Sequence, residues 1–196
     1  ATDSQFGAAR VQEDLLQRLP DVVFVEFSVN DHSTPHFCET YEGLVRQIYG
    51  SASAPAMVLI HNVYYDTGKS AAYYHAQVGR HYDLPCISMQ NSIYPAVAAG
   101  RLPAEKITAD FLHPNDLGHE FMASVITNFL EKVIHDKTQE PQEIFPAPLT
   151  ENAYEHCVRL QYFNSTPEKS GFEEDMTPQR DITDIFRNGW SAGEKG

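Results

Sequence analysis

The sequence predicts an α/β fold, with a parallel sheet layered between helices in an α/β/α arrangement. Three observations carry that prediction. Short apolar runs rich in β-branched residues recur at 22–27 (VVFVEF), 56–60 (AMVLI) and 86–89 (CISM). Amphipathic helical patterns alternate with them, and each intervening stretch is long enough for the crossover that parallel strands require. Near-continuous apolar runs are also what strands covered on both faces look like, as opposed to the alternating pattern of a half-exposed sheet.

The elements follow in order. Ser4 is placed to cap a first helix whose Val11, Leu15 and Leu19 recur at intervals of four, and Pro20 ends it. The strand over 22–27 comes next. Thr34 and Pro35 open a second helix with Tyr41, Leu44, Val45 and Ile48 on one face, and Gly50 stops it. After the strand over 56–60 a weaker helical pattern runs over 70–82, followed by the short strand over 86–89. The last helix spans about 115–134, with Pro114 at its entry and Leu117, Phe121, Val125 and Phe129 at intervals of four. From these elements residues 1–136 are expected to form one domain and 137–150 a linker, since prolines 141, 146 and 148 stand there among polar spacers. Residues 151–196 are polar and weakly periodic, and are expected to be the start of a further, β-rich extension.

Composition narrows the function classes. The chain has 196 residues, with 14 Lys and Arg against 27 Asp and Glu, a net charge of −13. Such a balance argues against a nucleic acid partner and against binding to an anionic membrane surface. No apolar run approaches the ~20 residues needed to span a bilayer. Cys38, Cys86 and Cys157 are far apart and form no C-x-x-C, so they read as ordinary, mostly buried thiols rather than a disulfide framework or zinc site.

In a parallel sheet, chemistry gathers in the loops after the carboxyl ends of the strands. Four segments qualify: 28–31 (SVND), 61–68 (HNVYYDTG), 90–95 (QNSIYP) and the stretch from Asp110 that leads into the last helix. Asp110 stands three residues before His113. A carboxylate at that spacing can accept from imidazole Nδ1, fixing the tautomer and leaving Nε2 to take a proton from a nucleophile. The same spacing also suits a turn-capping Asp beside an ordinary histidine. Asn30, just past a buried strand, is placed either to donate to a developing oxyanion or to close an Asx turn. A metal set of Asp110, His113 and His119 is disfavoured, because the two histidines fall on different faces once a helix starts between them. Tyr64, Tyr65, Tyr73, Tyr74 and Tyr94 offer rings that either stack on sugars or simply pack.

The segments FVEFSVND (24–31) and DFLHPNDLGH (110–119) together resemble the third and fifth conserved blocks of the SGNH hydrolases, also called GDSL-like esterases. The resemblance covers roughly residues 1–136 and implies a flavodoxin-like three-layer fold. It also implies a serine esterase acting on carboxylic esters, with acetyl groups on carbohydrates as the expected substrates, and with no cofactor and no metal. By it Asn30 is an oxyanion donor, His113 the general base and Asp110 its orienting partner. Ser28 stands where the family usually has glycine.

The family's nucleophilic serine should lie upstream of the strand over 22–27. Ser4 follows Asp3 and imitates the family's Gly-Asp-Ser signature, but no strand precedes it and the family's intervening elements do not fit between it and Asn30. It is expected to cap a helix, not to attack an ester. The chain is therefore expected to be a fragment without its nucleophile, inactive alone, whose first strand is left as an unpaired edge. Two rival readings stand beside the esterase: a non-catalytic carbohydrate-binding or scaffold protein of the same fold, and a metal-dependent hydrolase. Because an imidazole base must be neutral, the esterase reading predicts that turnover by the complete protein falls below about pH 6 to 7. A profile flat to pH 5 would contradict it.

Overall fold

Backbone pairing in the computed structural model, which describes residues 2–136, 145–161, 164–175 and 189–192, organises the chain around one short parallel sheet. Helix α1 (Ser4–Asp14) leads into β1 (Val22–Glu26), then α2 (Pro35–Tyr49), β2 (Ala56–His61), α3 (Ala72–His81) and β3 (Cys86–Ser88). Two short helices, α4 (Met89–Ser92) and α5 (Tyr94–Ala98), precede the long α6 (Asp116–Asp136). The strands lie in the order β1-β2-β3, all parallel, with Val22 beside Ala56 and Leu59 beside Cys86. Ala1–Cys157 form one compact unit and Val158–Gly196 a second, whose described strands β4 (Phe172–Asp175) and β5 (Gly189–Ala192) pair antiparallel.

Two apolar clusters flank the sheet, as the α/β/α prediction requires. Val23, Val25, Met57 and Leu59 pack with Val11, Tyr41, Leu44, Val45 and Val78 from α1, α2 and α3. The alternate residues Val58, Ile60 and Ile87 pack with Met89, Ile93 and Ile107, against Met122, Val125, Ile126 and Phe129 of α6. Strand β2 is buried at every residue but Ala56. Strand β1 departs from expectation: Val22 and Phe24 are exposed, and only alternate residues are buried. The reason lies in the sheet order. Phe24 sits beside Val58 on the α6 side, but α6 packs over β2 and β3, and among the described residues β1 has no neighbour on its outer edge. A groove of about 430 Å³ runs beside that edge between β1, α1 and α2.

Other local expectations shift by physical causes. Asp3, not Ser4, caps α1, its carboxylate accepting from Phe6 N–H at 2.9 Å, while Ser4 is the first helical residue. Pro114 does not open α6; it forms a bridge with Thr108, and the helix begins at Asp116. Leu117 and Phe121 are exposed, since the face of α6 that packs on the sheet is the one carrying Met122, Val125, Ile126 and Phe129. The stretch 90–95 contains helical turns of α4 and α5 instead of a plain loop. Of the three thiols only Cys38 is buried; Cys86 is exposed and Cys157 half-buried. None of the described helices is long and apolar enough to cross a membrane.

The compact unit runs past residue 136. Of the expected linker, residues 137–144 lie outside the described residues, and the stretch after them is fastened to α2. Buried Glu42 accepts from the backbone of Leu149 (2.5 Å) and Thr150 (2.8 Å), and from the Thr150 and Tyr82 hydroxyls. Burial alone would raise its pKa, but these bonds outweigh that and hold it below the usual glutamate value. One turn on, Arg46 donates to Glu155 (2.8 Å), the Tyr82 hydroxyl (2.9 Å) and the Pro146 carbonyl (2.9 Å), with its guanidinium 4.1 Å from the Phe145 ring centre.

Gly118 is the buried residue of α6, and it packs against the backbone of Ile107. A Cβ there would run into the Ile107 carbonyl, which is backbone and cannot rotate aside. Gly118→Ala is therefore expected to lower stability by about 1–3 kcal/mol, the usual cost of overpacking. Thermal unfolding of the two proteins measures it, and an unchanged Tm contradicts the packing described.

Candidate active site

The loop before α6 is built around one carboxylate. Asp110 Oδ1 accepts from the backbone N–H of Leu112 (3.1 Å) and of His113 (2.7 Å), and its Oδ2 accepts from His113 Nδ1 at 2.6 Å. Since a carboxylate can only accept, Nδ1 is the donor, and in the neutral ring this tautomer leaves the lone pair on Nε2. No partner meets Nε2 among the described residues, and the imidazole is 75% exposed. The bonds from the ring and then from the two N–H groups hold the Asp110 carboxyl down to about 2. Asp110 thus stays charged at neutral pH.

This wrap requires a reversal at the residue between. Phe111 has φ 65°, left-handed backbone that bulky side chains rarely adopt. Its carbonyl accepts from Tyr65 N–H at 2.8 Å, which pins the reversal to the loop after β2. Downstream, Asn115 anchors the helix start: its backbone N–H donates to the Ile107 carbonyl (3.0 Å), its side chain donates to the Lys106 carbonyl (3.0 Å), and its Oδ1 accepts from Gly118 N–H (3.0 Å).

Asn30 lies in the turn that ends β1. Its backbone N–H and that of Asp31 both donate to the Phe27 carbonyl, at 3.0 and 2.8 Å. Ser28, at the glycine position of the resembling motif, is fully buried. Its hydroxyl donates to Glu26 (2.6 Å) and accepts from Asn62 N–H (2.7 Å), while its carbonyl accepts from Ala71 N–H (2.7 Å). A hydroxyl here laces the exits of β1 and β2 together, which glycine could not do. The half-buried Asn30 side chain has no hydrogen-bond partner among the described residues.

Consecutive residues of one loop connect the two halves. Tyr64 donates its hydroxyl to the Val29 carbonyl (3.2 Å), and Tyr65 N–H holds Phe111. The segments bearing Asn30 and the Asp110–His113 pair are therefore fastened to the same loop at the carboxyl edge of the sheet. Three of the five tyrosines flagged from sequence serve this framework. Tyr64 is committed to Val29, Tyr65 is buried, and Tyr94 closes on Gly68, where φ is 70° and a Cβ would meet the Tyr94 hydroxyl at 2.6 Å. Tyr73 is exposed.

Ser4 is fully buried, its hydroxyl 2.6 Å from that of Thr40 and its N–H bonded to Asp31. That environment suits a structural serine. Among the described residues no three His, Cys, Asp or Glu are grouped to hold a metal ion. Sequence reasoning overlooked Asp31 and His75, whose fully enclosed side chains pair at 2.9 Å. A signal existed: His75 falls on the buried face of α3 with Ala72 and Val78, where a polar residue calls for a partner.

Two solved structures resemble the whole of this chain. One is a two-domain esterase active on acetylated mannans, co-crystallised with mannopentaose: 53% identity, TM-score 0.89, covering 100% of this chain and 52% of that one. The other, also a two-domain esterase active on acetylated mannans, gives 52% identity and TM-score 0.90, covering 100% of this chain and 53% of that one. The chain thus spans about half the length of the structures it matches. No family model matches the chain, and neither does any curated protein.

The Asp110 carboxyl offers a direct check. Its folded pKa lies below the roughly 3.9 of an unfolded aspartate, so its bonds favour the folded loop above that value and are lost as pH falls through about 2. Carbon-detected NMR is expected to place the Asp110 midpoint near 2, and His113→Ala to move it upward. A midpoint near 4 in the unaltered protein means the pair does not form in solution.

Proposed function

We propose that this chain carries the acid, base and oxyanion groups of a serine ester hydrolase of the SGNH type. The observation that carries the reading is the Asp110–His113 pair, whose Nδ1 is held by the carboxylate and whose Nε2 faces outward without a partner. In the proposed cycle a serine hydroxyl attacks the ester carbonyl as His113 Nε2 takes its proton, and the oxyanion receives a hydrogen bond from the Asn30 amide. His113 then returns the proton to the leaving alcohol, and water repeats the sequence on the acyl-enzyme. The substrate class is an acetyl ester of a carbohydrate, supported by the activity of the two similar esterases on acetylated mannans.

The serine itself is proposed to stand outside these 196 residues. Two observations support this: no serine meets His113 Nε2 among the described residues, and Ser4 is enclosed and bonded to Thr40. The open edge of β1, with its apolar groove, also suits a further strand of the kind that carries the nucleophile in the resembling family.

Hydrolysis of acetylated mannan by the complete protein tests the reading. His113→Ala is expected to cut kcat by on the order of 10⁴ or more, with KM little changed. A serine-directed phosphonate is expected to label the complete protein once and the 196-residue chain not at all. Full activity after phosphonate treatment removes the serine mechanism. Mannan binding without turnover, unaffected by His113→Ala, favours a non-catalytic binding protein.

A further inference from the structure

A second Asp–His pair lies directly behind Asn30. Asp31 is next in the chain, and each oxygen of its enclosed carboxylate has a partner: Oδ1 accepts from Ser4 N–H at the start of α1 (2.8 Å), and Oδ2 from His75 Nε2 on α3 (2.9 Å). The His75 ring in turn lies flat on that of Tyr41 in α2, with centres 3.7 Å apart and planes 4° from parallel. One carboxylate therefore gathers α1, α3 and, through the stacked ring, α2 onto the turn that ends β1.

That turn is what aims the neighbouring amide. The Asn30 side chain has no hydrogen bond of its own among the described residues, so nothing local sets its direction except the backbone that bears it. The turn is closed by the Asn30 and Asp31 N–H bonds to the Phe27 carbonyl, and it is anchored to its surroundings at three places: Ser28 by Asn62 and Ala71, Val29 by Tyr64, and Asp31, through its carboxylate, by Ser4 and His75. The first two pull toward the loop after β2, and the third pulls toward the helices. Without the third, the closed turn that bears Asn30 would be anchored to its neighbours from one direction. Apart from its bond to Asp31 and its stack on Tyr41, the His75 ring makes no hydrogen bond among the described residues, its Nδ1 being buried without a partner.

We infer that Asp31 and His75 are positioning residues for the reaction, acting through Asn30. They fix the turn so that the amide is already aimed before substrate arrives. Neither touches the substrate. The inference rests on the proposed role of Asn30 as oxyanion donor.

A double-mutant cycle in the complete protein, read as kcat and KM on acetylated mannan with Tm alongside, separates the inference from that role. Asn30→Ala alone is expected to lower kcat by about 10²- to 10³-fold. His75→Ala, which leaves the Asp31 carboxylate without its donor, is expected to lower kcat by about 10- to 100-fold with KM within about two-fold, the scale of a small misplacement of a reacting group. His75→Gln, whose amide nitrogen can reach the position of Nε2, is expected to recover most of that loss. In the Asn30→Ala background, His75→Ala is expected to cost less than about two-fold more. If His75→Ala does not fold, Asp31→Asn replaces it in the same cycle, since the amide keeps the shape without the buried charge. Equal losses in both backgrounds, or a folded variant with unaltered kcat, overturn the positioning role. An Asn30→Ala protein with full kcat overturns the oxyanion role itself.

Discussion

Strand β2 pairs on both sides in parallel, and that constraint orders the rest of the molecule. Parallel partners cannot be joined by a tight turn, so each connection must leave the sheet, cross a face as a helix and return. The sheet thereby acquires its two helical layers, and β2 loses its exposure on both faces. The same geometry brings every strand out at one edge. Adjacent strands lie only about 4.8 Å apart, so the turn after β1 and the loop after β2 emerge side by side. Ser28 and Asn62 bond across that gap, and the site is assembled on the joint.

Much of this was legible because the signals were local. Alternating apolar runs and helical faces gave the α/β/α order, and the spacing of Asp110 and His113 spans a single turn, so their pairing was readable from sequence. What escaped depended on neighbours. The run over 22–27 is as apolar as a strand covered on both faces, yet Phe24 is exposed because composition does not say how far α6 reaches. Asp3 and Ser4 are both good helix caps, and the choice was made by Thr40, thirty-six residues on, which takes the Ser4 hydroxyl. Pro114 is a fitting first residue for a helix, but its bridge to Thr108 moves the start to Asp116. Helices of four and five residues are too short to show a period, which hid α4 and α5. Asp31 and His75 are forty-four residues apart, and only the packing of α3 beneath the turn reveals them as a pair.

The loop before α6 stores strain to gain a fixed ring. Left-handed backbone at a bulky residue costs on the order of 1–3 kcal/mol and persists only where surrounding contacts over-determine it. Phe111 meets that condition: its carbonyl is held by Tyr65, and the residues that follow are drawn back onto Asp110 by two N–H bonds. The third bond to Asp110 comes from the imidazole, so the backbone and the ring are set by the same acceptor. The direction of Nε2 therefore follows from the fold of the loop and does not wait for a ligand.

Two of the Asp–His pairs among the described residues differ sharply in burial, and that difference suits them to different tasks. In the exposed pair, with side chains 52% and 75% accessible, water screens the charges, so attraction alone would orient the ring weakly. Its aim comes from hydrogen-bond geometry, and its exposure lets Nε2 exchange protons with whatever docks there. In the other pair both side chains are wholly inaccessible to solvent. A buried pair is strongly destabilised when one partner is removed, because the remaining group is left without compensation. It is therefore suited to holding a turn in one position and unsuited to proton transfer. The same two residue types are set at a surface loop in one pair, as the proposed base requires, and beneath a sheet edge in the other, as the proposed support requires.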